Sequence, residues 1–378
     1  MKKILFLLAV LCICTLAALS AGKEPYVIGA VFDITGPAAP LGSPERDTAL
    51  MLVKKINAKG GINGHQIKLV VIDNQSEPAL SVSAVKKLIE SEKVIAIIGP
   101  SQTGTTLAVS QTIDEQKIPL ISCAAGVSIV KPVKPYIFKT AQSDVSAVAK
   151  VLAYCKTKKI KSISVISVSN PFGDSGKAQL IAQAPGAGIK IISQEAFGEK
   201  DTDMSTQLIK IRAAKPQAVV CWGTNPGPAM VAKNMKQLGM KMPLILSHGV
   251  ANKKFIELAG DAAEGVVFPA GKLLVYSELS AKDPQKAVLA AYSNEYKAEY
   301  NKSADTFGGH AYDAIMILKD VISKVGSNSQ KIRAQIEKTK NFVGVSGVFN
   351  FSAADHNGLN ESAFEMVTII KGNWKIAK

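Results

Sequence analysis

Disulfide chemistry has almost nothing to work with in this chain. Five cysteines occur in 378 residues. Cys12 and Cys14 fall in an apolar start, which leaves Cys123, Cys155 and Cys221. An odd, sparse set is no disulfide framework, and a chain of this length needs none. Cys155 belongs to the stripe Val145, Val148, Leu152, Cys155, spaced as one helix face, and Cys221 sits in the strand-like run Ala218-Val-Val-Cys-Trp222. Both read as small core residues. Histidine is equally scarce. His65, His248, His310 and His356 lie far apart without zinc-ligand spacing, and the sequence has no G-x-S-x-G nucleophile elbow. The loop Ile98-Gly-Pro-Ser-Gln-Thr-Gly-Thr-Thr-Leu107 has the outline of a phosphate-binding loop, but Thr105 stands where the lysine belongs and Pro100 removes a backbone donor. These absences argue against zinc, serine-nucleophile and NTPase chemistry. No cofactor is called for.

Long apolar runs are missing too, with one exception. Met1-Lys-Lys3 precedes the apolar run Ile4 to Leu19 and the small residues Ser20 and Ala21. That is the layout of a cleavable secretory signal over residues 1–21. The run is short against the ~20 residues needed to span a bilayer, and neither cysteine follows the small residue of a lipoprotein signal. The mature chain is expected to be exported to the periplasm and soluble. Lysine, by contrast, is abundant: the formal charge is +15, or +13 without Lys2 and Lys3. The lysines are scattered as pairs on polar helix faces, such as Lys54 and Lys55 or Lys86 and Lys87, with no aromatic-interleaved basic stripe. They read as a solvated surface that helps collect anionic solutes, and not as a nucleic-acid interface.

Short apolar runs alternate with helical periods along the rest. Tyr26 to Phe32, Ile67 to Ile72 and Val94 to Ile98 read as strands, separated by the stripes Ala49, Leu52, Val53, Ile56 and Val82, Val85, Leu88, Ile89. The pattern restarts with strand candidates Ile163 to Val168, Ile189 to Gln194, Ala218 to Trp222 and Leu244 to Leu246, interleaved with helical segments such as Met204 to Ala214 and Ala229 to Leu238. Such alternation predicts parallel sheets with helices on both faces. About 357 mature residues exceed what one core supports, so two α/β lobes are expected. The long helical stretch Asp283 to Lys324 comes late enough for the chain to return to the first lobe.

Ligands of open parallel sheets lie where strands lead into helices. Ser101, Thr103, Thr105 and Thr106 occupy such a turn, and helix N-termini bind anions without a lysine. A carboxylate is the better guest there, although the hydroxyls could equally cap the helix. The next strand ends in Ala124-Ala-Gly126, which lets a ligand approach the backbone or simply makes a tight turn.

The segments Asn57-Ala-Lys-Gly-Gly-Ile-Asn-Gly64, Asp73-Asn-Gln-Ser-Glu-Pro78, Ile98-Gly-Pro100 with Thr103-Gly104, Phe172-Gly173 and Ala311-Tyr-Asp-Ala314 appear in this order. Together they resemble the extracytoplasmic solute-binding proteins of branched-chain amino acid ABC importers, the leucine/isoleucine/valine-binding type. The resemblance covers nearly all of the mature chain. It implies two Rossmann-like three-layer lobes with parallel central sheets, joined by three crossing strands. They would close on a small solute and present it to an inner-membrane permease. On this scheme residues 24–141 plus 272–345 form the N-terminal lobe and 142–271 plus 346–378 the C-terminal lobe of a monomer.

The resemblance also carries site residues. Thr103 occupies the place of the hydroxyl offered to the ligand carboxylate, and Ala124 and Ala125 match the next ligand-facing turn. Gly126 stands where many members have threonine. Phe172 replaces the usual tyrosine before Gly173, Thr224 stands where a second aromatic is common, and Leu41 replaces an aromatic of the first loop. The largest departure is His248, at the position where amino-acid binders place an acid for the ligand ammonium. A histidine there can donate to an anion or a carbonyl, and can change charge near neutral pH. An amine-free organic acid, aromatic or branched, is then one expectation. An amino acid whose amine is met by another acid, such as Asp33 or Glu264, is the other. His310 reads as structural. Capture and not catalysis is the expected activity; the sensory ligand-binding modules that share this architecture are the rival, and the end of the chain soon after Phe364 to Ile370 favours a free-standing carrier.

Overall fold

The computed structural model describes residues 23–377; the expected signal segment lies outside them. Five parallel strands form the first sheet in the order β2-β1-β3-β4-β5: β1 (Lys23–Phe32), β2 (His65–Asp73), β3 (Ala96–Ile98), β4 (Leu120–Ser122) and β5 (Ile137–Lys139). Both faces are covered, and the strand pleat decides which residue goes where. Tyr26, Ile28, Ala30 and Phe32 of β1 pack with Ala49, Leu52 and Ile56 of the helix Ala39–Ala58 and with Ile315, Leu318 and Ile322 of the helix Thr306–Val325. Val31, between them in sequence, faces the other way, toward Val85 and Leu88 of the helix Pro78–Glu90 and Val109 and Ile113 of the helix Thr103–Gln116. Alternate strand residues thus feed two cores.

The second sheet has seven strands in the order β14-β13-β10-β9-β8-β6-β7. β6 (Ser162–Val168), β7 (Lys190–Phe197), β8 (Ala218–Trp222), β9 (Leu244–Leu246) and β10 (Val267–Gly271) run parallel. β13 (Phe364–Ile370) and β14 (Asn373–Ile376) add an antiparallel edge; between β10 and β13 in sequence, β11 (Phe342–Val343) and β12 (Val348–Phe349) make a separate two-stranded ribbon. Val148, Leu152 and Cys155 cover one face with Leu180, and Leu208, Ile211, Val231 and Met235 the other. The stripe expected around Cys155 is buried except for Val145, which is exposed; Val151 fills its place.

The sequence stretch 283–324 is two helices, not one. Lys286–Tyr300 ends at Asn301 in the left-handed conformation, and Thr306–Val325 starts behind Asp305, whose carboxylate accepts the Gly308 N–H at 3.0 Å. An αL stop and an acidic N-cap outweigh the continuous apolar period. Lys54 and Lys55 pair with Glu299 and Glu295 of the first of these helices.

The chain crosses between the sheets three times: after Lys139, after Gly271 and after Phe351. Phe349 and Phe351 pack in the first core while Phe364 packs in the second, so we place the last crossing beyond residue 345. The crossings are tied to one another. Asn357 Nδ2 donates to the carbonyls of Lys139 and Ala141 at 3.3 and 3.0 Å, and Gln142 Nε2 to that of Ser346 at 2.8 Å.

Trp222, fully buried at the end of β8, packs against the helix Pro171–Gln183 where that helix carries Gly176; a Cβ there would stand 2.0 Å from the indole Nε1. Gly176→Ala is therefore expected to cost about 1–3 kcal/mol, read as a lower urea midpoint. An unchanged midpoint would mean that the helix can lift off β8.

Candidate functional site

The carboxyl ends of both sheets face a common cavity of about 370 Å³. Its rims touch. Asn252 Nδ2 donates to the Pro40 carbonyl at 3.0 Å, and Gly104 faces the Pro171 ring so closely that a Cβ added to it would stand 3.6 Å from Pro171 Cγ.

On the first-lobe side the loop after β3 turns into a helix that starts at Thr103 itself. Its hydroxyls divide the work. Thr105 Oγ1 bonds the Gln102 backbone and so caps the helix, and Thr106 Oγ1 meets Ser122 Oγ at 2.8 Å inside the lobe. Ser101 Oγ donates to Glu45 and accepts the Asp33 N–H. Thr103 lines the cavity, and its Oγ1 accepts the Gly126 N–H at 3.1 Å, which leaves the hydroxyl proton to donate. The N–H groups of the first helical turn have no intrahelical partner. Ala124 and Ala125 also line the cavity; Gly126 does not. Its place is behind Thr103, where a Cβ would come within 2.4 Å of Thr103 Cγ2. Gly126 thus serves as Thr103's support, and the missing threonine hydroxyl could not be accommodated beside Thr103 in any case.

Behind Ala125 stands a fully buried cation. Lys139 Nζ donates to the Ala125 carbonyl at 2.8 Å and to that of Ala141 at 3.0 Å. Burial lowers its pKa to about 8, and the charges of Asp144 and Asp355 hold it from falling further.

The second lobe contributes aromatic walls. Asn170 caps the helix Pro171–Gln183 by accepting the Gly173 N–H at 2.9 Å, which fixes Phe172 in the first turn. Thr224 follows β8, and His248 opens the short turn after β9; both line the cavity with Phe172. Ser247 holds that turn by donating to the Gly223 carbonyl at 2.8 Å. The His248 ring meets Phe172, Trp222 and Phe364 edge-on, at 5.5, 5.8 and 5.5 Å between centroids. Neither of its nitrogens has a hydrogen-bond partner among the described residues. Burial, then the Lys139 charge, lowers its pKa to about 3. The expectation that His248 changes charge near neutral pH is therefore corrected: an apolar ring of neighbours and a nearby cation keep it neutral.

The sequence reading missed His310. Placed in the first turns of the helix Thr306–Val325, it lines the cavity with 4% of its surface exposed. Its Nε2 lies 3.3 Å from Gln142 Oε1 and its Nδ1 has no partner among the described residues. Two acids suspected of reaching an amine do not line the cavity. Asp33 is held behind the wall by Asn74 and Gln102, and Glu264 binds the N–H groups of Lys371 and Gly372 at a distant turn. Leu41 does line it.

A family profile described as periplasmic binding protein matches residues 25–373. The chain belongs to that family. Within it, this binding protein is of the branched-chain amino acid type. It is 26% identical over 83% of its length to 83% of the Leu/Ile/Val-binding protein BraC3 of Rhizobium johnstonii. An extracellular ligand-binding receptor from Rhodopseudomonas palustris HaA2 superposes with a TM-score of 0.88 at 26% identity, over 93% of this chain and 99% of that one. LivJ of Streptococcus pneumoniae, solved in complex with isoleucine, gives 0.84 at 28% identity over 94% and 99%. These relatives are binding proteins, and the family is extracytoplasmic. No described helix of this family member is long and apolar enough to cross a membrane.

The neutral state of His248 has a consequence for stability. In the unfolded chain a histidine takes up its proton near pH 6.5, in the folded protein near 3. Between those values the unfolded state binds the extra proton, so stability rises with pH and is lost as pH falls from about 6.5 toward 3. The drop in melting temperature between pH 7 and pH 5 should be smaller in His248→Gln than in the unaltered protein. Equal drops would mean that His248 is protonated in the folded state.

Proposed function

We propose that the protein is the solute-binding component of an ABC-type importer, capturing a small carboxylate-bearing solute between its lobes and delivering it to a membrane permease. The observation that carries this reading is the composition of the cavity: a helix N-terminus with a donor hydroxyl on one side, aromatic and small side chains on the other, and a buried cation just behind the wall. Thr103, the first-turn N–H groups and the backbone at Ala124 and Ala125 bind the carboxylate. Phe172, Thr224 and His248 close over the rest of the solute. Opening about the three crossings admits it, and the contacts at Pro40–Asn252 and Gly104–Pro171 belong to the closed form that a permease distinguishes from the empty one.

The chain works outside the cytoplasm once residues 1–21 are removed, as a monomer, and without a cofactor. The names of its relatives make leucine, isoleucine and valine candidate solutes. Capture needs no catalytic group, and the arrangement of Thr103 and His248 on opposite lobes suits a cage more than a reaction centre.

Thr103→Ala removes one charge-assisted hydrogen bond and is expected to weaken binding of the carboxylate solute by about 1–3 kcal/mol, measured by titration calorimetry. Unchanged affinity would take Thr103 out of the site.

A further inference from the structure

We propose that the cleft selects a monocarboxylate without an ammonium group, bearing a neutral hydroxyl or carbonyl within reach of His248 and His310. The proposal rests on the reading above, that a carboxylate sits at Thr103, and adds what the rest of the solute must be.

The cavity offers no buried acid to an amine. Its lining carboxylates are Glu77 and Glu199, both exposed at the surface, and Glu199 already accepts Asn170 Nδ2 at 2.6 Å. The buried acids nearby do not line the cavity, and the fully buried Asp144 faces the Lys139 charge. Asp33 takes hydrogen bonds from Asn74 and Gln102, Glu45 from Ser101, and Asp313 from the N–H groups of Val345 and Ser346, both at 2.7 Å. The charge closest behind the wall is the Lys139 ammonium, bonded to the carbonyl of the lining residue Ala125. A solute cation would thus enter the cleft near another cation with no buried anionic partner in the lining, which is the costly arrangement for a buried charge. An anion gains from the same field.

The polar groups left over describe the solute's other requirement. His248 is 6% exposed, lines the cavity, and has both ring nitrogens unpartnered among the described residues; His310 has Nδ1 in the same condition. A neutral imidazole supplies one donor and one acceptor. His310 Nε2 donates to Gln142 Oε1, so its Nδ1 is an acceptor that a solute hydroxyl can meet, whereas a solute carbonyl can only accept from the protonated nitrogen of His248. Apolar side chains, Leu41, Val168, Phe172, Phe197 and Phe307, share the rest of the lining with polar ones that include Asn170, Thr224 and Asn225, whose Oδ1 also has no partner among the described residues. The volume of about 370 Å³ admits a ring or a branched chain. Branched or aromatic 2-hydroxy and ring-hydroxylated acids can meet both histidines, and 2-oxo acids can meet His248.

The test is calorimetric titration of the mature protein, stripped of carried-over solute by unfolding and refolding, with matched probes: leucine against 4-methyl-2-oxopentanoate, phenylalanine against phenylpyruvate, and 4-hydroxybenzoate against benzoate. At least one amine-free, oxygen-substituted acid should bind ~10-fold or more tightly than its amino or unsubstituted counterpart, given the cost of an unpaired ammonium or an unmet imidazole. His248→Phe keeps the ring and removes both nitrogens; it should abolish that preference for the oxygen substituent. Tighter or equal binding of the amino acids overturns the inference and leaves the carboxylate reading standing. Binding by no acid of either kind overturns both. The matched titrations decide the matter even if the variant does not fold.

Discussion

The ammonium of Lys139 sits where a bare charge cannot remain. It is fully buried at the end of β5, at the first crossing between the lobes, and its bonds to Ala125 and Ala141 tie the ligand-facing turn to the connecting segment. Asn357, from the third crossing, closes on the carbonyls of Lys139 and Ala141. A buried cation is tolerated only when its donors are met and compensating charge is near; here two carbonyls and the charges of Asp144 and Asp355 supply that. The same group therefore fixes the turn that lines the cavity and ties it to the crossings. Its charge also helps keep His248 and His310 neutral.

The two halves of the cavity then differ in kind. The first lobe presents donors: a helix start, a threonine hydroxyl and a turn of small residues. The second presents rings arranged edge-on around a neutral imidazole. Neither wall is a binding site alone, since each leaves the other half of a solute in water. On the proposed function, closing the lobes would exchange that water for protein surface on both ends at once, and the closed form would depend on an occupant that satisfies both.

Much of this was legible in the sequence because strand–helix alternation has a physical period. Ala49, Leu52, Val53 and Ile56 could be read as a buried face, and the segments around Ile28, Ile166 and Val220 as strands. The loop at Thr103 could be placed by rule, since parallel strands lead their ligands to carboxyl ends. Other features depend on contacts distant in sequence. β5 and β10 are short, of three and five residues, too brief for a periodic signal. His310 reaches the cavity from a helix that begins more than 130 residues after Phe172, and only the chain's return to the first lobe puts it there. Lys139 looked like one lysine among 45 Lys and Arg residues; no pattern of neighbours in sequence marks its burial. Gly126 was visible as a missing hydroxyl, but its contact with Thr103 is purely spatial.

The floor of the cavity includes Cys123, 2% exposed. Burial, and then the nearby Glu45, hold its thiol well above the ordinary range, so the reactive thiolate is scarce. Cys155 and Cys221 are equally enclosed. An extracytoplasmic protein with unpaired sulfur is exposed to oxidants that scramble or cap free thiols. Here the Cys123 sulfur is concealed in the floor of the cavity between the two sheets. The low thiolate content of these three cysteines is a by-product of the packing that shapes the floor of the cavity.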